Sequence, residues 1–194
     1  MIRELSSLFV ILAVAPVASF SQGVTPPPAQ APATSSANPI SASTAKMYTM
    51  LSGVVIAAAE KMPEESYSFK PSPDVRSFGQ LVGHLADSQY YFCSMVSGEP
   101  NPGGSVEKTK TSKSDLVAAL KEAVAYCGKT YAAMTDAKGS EPAKMMGQDF
   151  AKLTILSGNI AHDYEHYGNM ATYMRIRGIV PPTSEKSAAA AEQK

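Results

Sequence analysis

The chain of 194 residues has no tryptophan, only two cysteines, only three histidines and a formal net charge of zero. A balanced charge without a basic stripe argues against nucleic-acid binding, which depends on clustered lysine and arginine. The sequence has no cationic amphipathic helix of the kind that binds a membrane surface. The apolar run at residues 8–20 is broken by Pro16 and is shorter than the ~20 residues of a membrane span. Hydrophobic residues nevertheless make up 44% of the chain, enough for a core.

The N-terminus has the layout of a secretory signal peptide. Arg3 precedes the apolar run, and Ser19 and Ser21 place small side chains at the two positions that a signal peptidase reads. We predict a signal peptide at residues 1–21, cleaved after Ser21, and therefore a secreted or periplasmic protein without a membrane segment after cleavage. An uncleaved membrane anchor is the alternative.

Two further segments have compositions that are typical of disorder. Residues 22–43 are rich in Pro, Ala, Ser and Thr and carry no charge, so they cannot bury enough apolar surface to offset the entropy lost on ordering. We predict a disordered linker there and a disordered tail at residues 184–194. The folded domain is then expected at residues 44–183.

Helical spacing of apolar residues dominates this domain. Ser77 with Gln80, and Ser112 with Asp115, fit the pattern of a helix-opening capping box. Gly178 is a candidate C-terminal cap. No segment shows a convincing alternation typical of a strand, so the sequence predicts an all-α four-helix bundle. The predicted helices cover about 44–62, 77–97, 112–131 and 152–177.

All three histidines are expected to face the interior of this bundle. On a helical wheel at about 100° per residue, His162 and His166 lie side by side at the edge of the apolar face of the fourth helix. His84 lies within the apolar face of the second helix. Two imidazoles at positions i and i+4 can share a divalent ion, and three histidine ligands leave positions open, as in catalytic sites. The alternative is that they are hydrogen-bonded core residues.

Two acidic residues near these histidines are the candidate catalytic groups. Asp163 falls within the apolar arc, where it would be a partner of a ligand or a general base. Its alternative role is a buried carboxylate bonded to the backbone of a neighbouring helix. Glu165 falls just outside the arc and would orient a ligand or move a proton. Tyr167 or Tyr173 could donate a hydrogen bond to a substrate.

The letters HDYEH also match H-x-x-E-H, the inverted zinc-peptidase signature. In that class Glu165 would be the base, and an acidic residue further along the chain would be the third ligand. Only Glu185 and Glu192 follow, both within the predicted tail. This alternative also leaves His84 without a role.

Cys93 and Cys127 both fall within the predicted domain. An even number of cysteines in an exported chain suggests a disulfide. The alternatives are two buried free thiols, or thiolate ligation of the metal.

Two stretches carry a resemblance to a known family. They are FKPSPDVRSFGQLVGHLADSQYYF around His84 and HDYEHYGNMATYMRIRGIVPP from His162 onward. A histidine on the second helix, H-x-x-x-H on the fourth and a closing Y-x-R-x-x-G-I-x-P-P resemble the DinB-like four-helix bundles. These include the YfiT-type proteins described as metal-dependent hydrolases, and the similarity covers nearly all of residues 44–183. It implies a helix order with a long connection between the second and third helices. It also implies a divalent ion (nickel, zinc or iron) bound by His84, His162 and His166.

The resemblance makes a metal-dependent hydrolase of an unknown small molecule the leading functional hypothesis. Some relatives are transferases that depend on a low-molecular-weight thiol, which is one alternative. The others are a metal-binding module without turnover and a structural bundle, either monomeric or homodimeric, whose histidines are core residues.

Overall fold

The computed structural model describes residues 37–185, and four long helices dominate this part of the chain. The predicted signal peptide at residues 1–21, and most of the predicted linker and tail, lie outside the described residues. No helix among residues 37–185 combines the length and apolarity that a membrane span requires. In chain order the elements are α1 (Pro39–Lys61), a 3-10 turn (Glu64–Ser66), α2 (Phe78–Ser97), α3 (Val106–Thr109), α4 (Lys113–Ala132), α5 (Asp136–Gly139), β1 (Pro142–Met145), β2 (Gln148–Ala151) and α6 (Lys152–Ile176).

Helices α2 and α4 begin, and α6 ends, where their local sequence predicts. At the start of α2, the Ser77 side chain accepts from the Gln80 backbone N–H and the Gln80 side chain accepts from the Ser77 backbone N–H, which completes the capping box. The Ser112 hydroxyl accepts from the Asp115 backbone N–H at the start of α4. After α6, Gly178 has a φ of 75°, in the left-handed region that glycine tolerates best. The predicted all-α class is therefore confirmed.

The four long helices adopt the unusual order that the resemblance implied. Helix α4 packs against both α1 and α2, and α6 packs against the same two helices. Helices α1 and α2, which are consecutive long helices in the sequence, therefore lie diagonally across the bundle. Residues 98–112 connect the end of α2 to the start of α4. This is the predicted long connection, and it contains the short helix α3.

A polar network crosses the otherwise apolar core. The amide nitrogen of Gln89 on α2 donates to both carboxylate oxygens of Asp163 on α6, at 2.9 Å each. The Gln89 amide oxygen accepts from Asn159 at 3.1 Å and lies 3.0 Å from the hydroxyl of Tyr48. Tyr48 in turn stacks on Tyr131, with ring centroids 4.0 Å apart. Buried polar groups are tolerated when they are hydrogen-bonded, and here they link α1, α2, α4 and α6.

The first helix begins earlier than predicted. Helix α1 begins at Pro39, five residues before the expected position 44, so the last residues of the predicted linker are helical. The Asp136 carboxylate accepts from the backbone N–H groups of Ile40 and Ser41, at 3.3 and 2.7 Å. These bonds satisfy free N–H groups in the first turn of α1, a role usually filled by a local capping residue. A residue almost 100 positions away therefore extends the helix.

A small β-hairpin was also missed. Strands β1 and β2 pair antiparallel, from Pro142 opposite Ala151 to Met145 opposite Gln148, between the third and fourth predicted helices. All eight strand residues are exposed or half-buried, so the hairpin shows little of the apolar alternation that reveals a strand. Its two-residue turn, Met146–Gly147, has positive φ at both positions, 52° and 78°. That is the geometry of a type I′ turn, whose twist suits a hairpin.

Cys93 on α2 and Cys127 on α4 form a disulfide, with their Cα atoms 5.2 Å apart. Both residues are fully buried. The predicted pairing is therefore present in the structure, and it joins two helices that are separated in sequence by the loop containing α3. Neither cysteine belongs to the cluster of potential metal ligands among the described residues.

Gly83 allows α3 to approach α2 unusually closely. A Cβ atom added at Gly83 would lie 2.6 Å from the Glu107 Cα and 2.8 Å from its backbone nitrogen. We expect Gly83→Ala to lower the free energy of unfolding by about 1–3 kcal/mol, because the backbone of α3 must shift. Urea unfolding followed by circular dichroism measures this change.

Gly53→Ala on α1 is the matched control. A Cβ added there meets nothing within 4 Å. Alanine restricts the unfolded chain and favours a helix, so this variant should gain about 0.5–1 kcal/mol. A similar change of the same sign in both variants would contradict the close contact between α2 and α3.

Candidate metal centre

The three histidines come together at one point between α2 and α6. His162 Nε2 lies 3.1 Å from His84 Nε2 and 3.1 Å from His166 Nε2. One ring nitrogen from each of the three residues lies within 4.8 Å of the others. His162 and His166 are one turn apart on α6, and His84 reaches them from the adjacent α2. The three predicted side chains therefore lie close together, with His166 buried and His84 and His162 half-buried.

The carboxylate of Glu107 determines which nitrogen of His84 faces this cluster. Glu107 Oε2 lies 3.2 Å from His84 Nδ1, and Glu107 Oε1 accepts from Arg76 Nε at 2.9 Å. Because a carboxylate accepts but does not donate, the proton lies on His84 Nδ1 and Nε2 presents a lone pair. A carboxylate at the outer nitrogen of a ligating histidine is a recurring arrangement in metal sites.

Hydrogen bonding alone does not satisfy the cluster. Since His84 Nε2 carries no proton, a full hydrogen bond to it must come from His162 Nε2, which then has no lone pair for His166. If His162 Nε2 is instead unprotonated, its lone pair faces the lone pair of His84. One of the two 3.1 Å contacts is therefore left without a full hydrogen bond, whereas a cation would be bound by all three lone pairs. The donor set fits a metal ion.

Two of the three spacings between the nitrogens also fit a first-row divalent ion. Nitrogens bound at about 2.0–2.1 Å lie roughly 2.9 Å apart at a right angle and roughly 3.4 Å apart at a tetrahedral angle. Both contacts of His162 Nε2, at 3.1 Å, fall between these limits. The Nδ1 atoms of His162 and His166 are buried and have no hydrogen-bond partner among the described residues, so only His84 has an orienting carboxylate.

All three histidines are neutral near pH 7. Burial, followed by the neighbouring His166 and His84, lowers the pKa of His162 to about 4. Burial also lowers the pKa of His166 and of His84, although Glu107 opposes the shift at His84. Neutral imidazole is the form that binds metal ions, so the cluster needs no deprotonation to act as a ligand set.

Helix α3 positions Glu107, and α2 positions α3. The carboxylate of Asp87, one turn after His84 on α2, accepts from the backbone N–H groups of Val106 and Glu107 at 2.8 and 3.1 Å. Val106 is buried, and Gly83 leaves space for the α3 backbone. No role for Glu107 can be predicted from the sequence, because a single apolar residue in a Gly- and Lys-rich loop is too weak a signal for α3.

Asp163, one of the two candidate catalytic residues, belongs to the core network instead. Only 1% of its surface is exposed, and both of its carboxylate oxygens accept from Gln89. Burial raises the pKa of Asp163 to about 7, although the Gln89 bonds oppose the shift. Its alternative role as a buried carboxylate is close to what the structure shows, but the partner is a side chain and not the backbone. The carboxylate that contacts a histidine of the cluster is Glu107.

Glu165, the other candidate, lies beside the cluster. It is exposed, and with His166 it lines a cavity of about 570 Å³. Lys70 and Arg76 contribute positive charge to the same cavity. This side of the histidine cluster is therefore open to solvent and lined by charged side chains.

The two tyrosines expected to donate to a substrate are bonded within the protein. Tyr173 donates to the carbonyl of Arg76 at 3.0 Å. The Tyr167 hydroxyl lies 2.8 Å from the Thr183 hydroxyl and accepts from the Thr183 backbone N–H at 3.2 Å. Both hydroxyls thus hold segments of the domain together.

The inverted peptidase motif requires an acidic residue as the third metal ligand. The third potential ligand beside His162 and His166 is instead His84, to which that motif gives no role. Glu185, one of the two acids that this motif could recruit, pairs instead with Lys61. Glu192 lies outside the described residues. The geometry therefore favours the three-histidine interpretation.

Two substitutions distinguish the roles of the two carboxylates. We expect Glu107→Ala to lower the affinity for a divalent ion by about 10- to 100-fold, because His84 loses the group that orients it. Asp163→Asn should leave that affinity within about twofold, since Asp163 bonds to Gln89. Isothermal titration with Zn²⁺ measures both. A larger loss in Asp163→Asn than in Glu107→Ala would reverse the assignment.

Comparison with known proteins agrees with this fold. A family model described as the DinB superfamily matches residues 51–170, more than half of the chain. The uncharacterized protein YjoA of Bacillus subtilis is 25% identical over 126 residues, which cover 62% of this chain and 79% of YjoA.

Two solved structures resemble the domain. A DinB-like protein from Bacillus cereus superposes with a TM-score of 0.65 at 16% identity, covering 72% of this chain and 93% of that one. The DinB-like protein YjoA from Bacillus subtilis superposes with a TM-score of 0.59 at 23% identity, covering 70% and 92%. At these identities the structures support the fold alone, and the family follows from the extent of the sequence match. The chain belongs to the DinB superfamily.

Proposed function

We propose that the protein binds one divalent metal ion through the Nε2 atoms of His84, His162 and His166 and acts as a metal-dependent hydrolase on a small molecule. The observation that supports this most strongly is the convergence of three neutral imidazoles, with two Nε2 contacts of 3.1 Å that hydrogen bonding cannot satisfy at the same time. Nickel, zinc and iron are the candidate ions, because each accepts imidazole ligands.

The residues around the cluster have distinct proposed roles. Glu107 holds the His84 ring with Nε2 pointing inward, and Arg76 holds Glu107. Three protein ligands leave coordination positions open, which is typical of catalytic sites. When bound, a divalent ion supplies a Lewis acid that polarises a carbonyl or phosphoryl oxygen and activates water. Glu165, at the edge of the charged cavity beside His166, is the candidate group for carrying a proton to or from the substrate.

The experiment is a hydrolysis screen with the protein purified without a histidine tag. Ester, amide and phosphoester substrates are offered to the protein loaded in turn with Zn²⁺, Ni²⁺ and Fe²⁺, and to the His162→Ala variant treated in the same way. We expect turnover only in the loaded wild type. Glu165→Gln should lower kcat by about 10²- to 10⁴-fold while keeping the metal content.

Other outcomes would lead to the other functional classes. Stoichiometric metal without turnover of any substrate would favour a metal-binding module. Turnover that appears only when a low-molecular-weight thiol is added would favour a thiol-dependent transferase. Failure to bind any of the ions would leave a structural bundle.

We also propose that the protein is exported. The disulfide between Cys93 and Cys127 supports this, because structural disulfides persist mainly in oxidising compartments. The signal-peptide prediction for residues 1–21 points in the same direction. Mass spectrometry of the protein recovered from its native host tests the proposal, and an intact leader in a cytosolic fraction would contradict it.

A further inference from the structure

We propose that the substrate carries a small apolar group, such as an aryl or branched alkyl group, and that Met146 on the hairpin turn selects for it. This inference rests on the proposed metal-dependent function, because it concerns the part of the substrate that lies next to the histidines. It assigns a role to a cavity on the hairpin side of the cluster. It also assigns a role to a methionine whose backbone conformation is unusual.

The cavity lies directly beside two of the proposed ligands. It has a volume of about 360 Å³, and its walls include His84 and His162 together with Tyr91, Phe92 and Met146. The Phe92 ring is 5.8 Å from the His162 ring, and Tyr91 packs edge-on against Phe92 at 5.4 Å. An apolar cavity of about 150 Å³ already accommodates benzene, so an aryl group fits the available space.

The two remaining polar side chains of this cavity are already engaged. Asp87 accepts from the backbone of Val106 and Glu107. Ser88 donates its hydroxyl proton to the carbonyl of His84 at 2.8 Å. Neither side chain needs a hydrogen bond from a ligand. The walls of the cavity therefore contact a bound ligand mainly through apolar groups. Removing apolar surface from water on such walls favours binding of an apolar group.

The other side of the cluster is chemically different. The cavity beside His166 is lined by Lys70, Arg76 and Glu165, among other polar residues. A charged or strongly hydrated part of a substrate is better accommodated there. The histidines lie between the two environments, so a substrate whose reacting bond joins an apolar group to a polar one would place that bond at the cluster.

The backbone conformation at position 146 is one that other residues adopt more readily than methionine. Its φ of 52° and the φ of 78° at Gly147 form the type I′ turn, in which Asn-Gly is strongly preferred. A long apolar side chain there carries a conformational cost. Met146 is 85% exposed, so burial in the core does not offset this cost, yet the residue forms part of the wall of the apolar cavity. A contact with a bound apolar group would account for methionine at this position.

Two metal-binding probes test the inference without requiring turnover. Imidazole and 4-phenylimidazole both coordinate through a ring nitrogen, and only the second carries an aryl group. Their affinities are measured from the visible absorption of the Co²⁺-loaded protein. In the wild type we expect 4-phenylimidazole to bind at least about tenfold more tightly than imidazole.

Met146→Asn is the test variant. Asparagine suits the turn better than methionine, so the variant should fold at least as stably as the wild type, as thermal unfolding will check. We expect it to lose about fivefold or more of the preference for 4-phenylimidazole while binding imidazole as before. Equal binding of the two probes by the wild type, or an unchanged preference in Met146→Asn, would overturn the inference but leave the metal site intact.

Two further results have separate meanings. If Co²⁺ does not bind, the proposed function fails, and this inference fails with it. If light scattering shows a dimer that dissociates in Met146→Asn, the apolar walls contact a second copy of the chain, and the assignment to a substrate is overturned.

Discussion

Replacing His162 with alanine is expected to abolish stoichiometric metal binding, lowering the affinity for a divalent ion by at least about a hundredfold. His162 is the central member of the cluster, because its Nε2 lies 3.1 Å from the Nε2 atoms of both His84 and His166. Without it, the two remaining imidazoles would have to bind the ion alone. Mass spectrometry of metal content after dialysis against Zn²⁺, Ni²⁺ or Fe²⁺ measures the change directly.

Tyr164→Ala is the matched control on the same helix. Tyr164 is two residues from His162 but is 51% exposed, and it does not belong to the cluster. We expect it to retain about one ion per chain. Circular dichroism of His162→Ala separates loss of the ion from loss of the fold, since His162 is only half-buried. Full metal content in His162→Ala, or none in the wild type, would contradict the proposed site.

Removal of the disulfide is expected to have the second large effect. The pair Cys93–Cys127 closes a segment with a sequence separation of 34, which includes the connection that carries α3. The loop-entropy relation gives about 3–4 kcal/mol for a loop of this length. The double variant Cys93→Ala/Cys127→Ala should therefore melt roughly 10 °C below the oxidised wild type.

Reduction of the wild type provides an independent control. Dithiothreitol should lower the melting temperature of the wild type toward that of the double variant, while leaving the double variant unchanged. Thermal unfolding by circular dichroism, with thiol titration of the unfolded protein, distinguishes these states. Two titratable thiols in protein from an oxidising compartment, or a melting temperature insensitive to reductant, would contradict the disulfide.

The disulfide and the histidine cluster are connected through α2 and the segment that follows it. Helix α2 carries His84 and Cys93, and α3 in the next connection carries Glu107. The disulfide restrains the end of α2 against α4, and Asp87 holds α3 onto α2. Loss of the disulfide should therefore also weaken the positioning of Glu107, and through it the orientation of His84.

Features that depend on contacts within a few residues could be predicted from the sequence. The caps at Ser77 and Ser112, and the stop at Gly178, are local hydrogen-bonding and φ preferences. The pairing of His162 and His166 follows from the helical repeat, since side chains four residues apart lie on the same face. That His84 also faces the interior followed from the apolar residues around it on α2.

Apart from the hairpin, whose exposed strands show little alternation, the features that could not be predicted depend on contacts between distant segments. Helix α1 begins early because Asp136 caps it from another part of the fold. Glu107 reaches His84 because Gly83 and Asp87 hold α3 against α2. Asp163 lies on the same apolar arc as the histidines, yet its carboxylate bonds to Gln89 on the neighbouring helix. A helical wheel gives the direction of a side chain but not the partner that it meets.

The sequence by itself determined the helical class, the ends of α2, α4 and α6 and the three histidines that face the core. Periodicity and capping are properties of a single segment, so they can be read without knowing its neighbours. The tertiary structure decided which carboxylate orients His84, which one is buried in the core, and which side chains border each side of the cluster. Those choices depend on how α2, α3, α6 and the hairpin pack together, because a hydrogen bond or a cavity wall exists only when two segments meet.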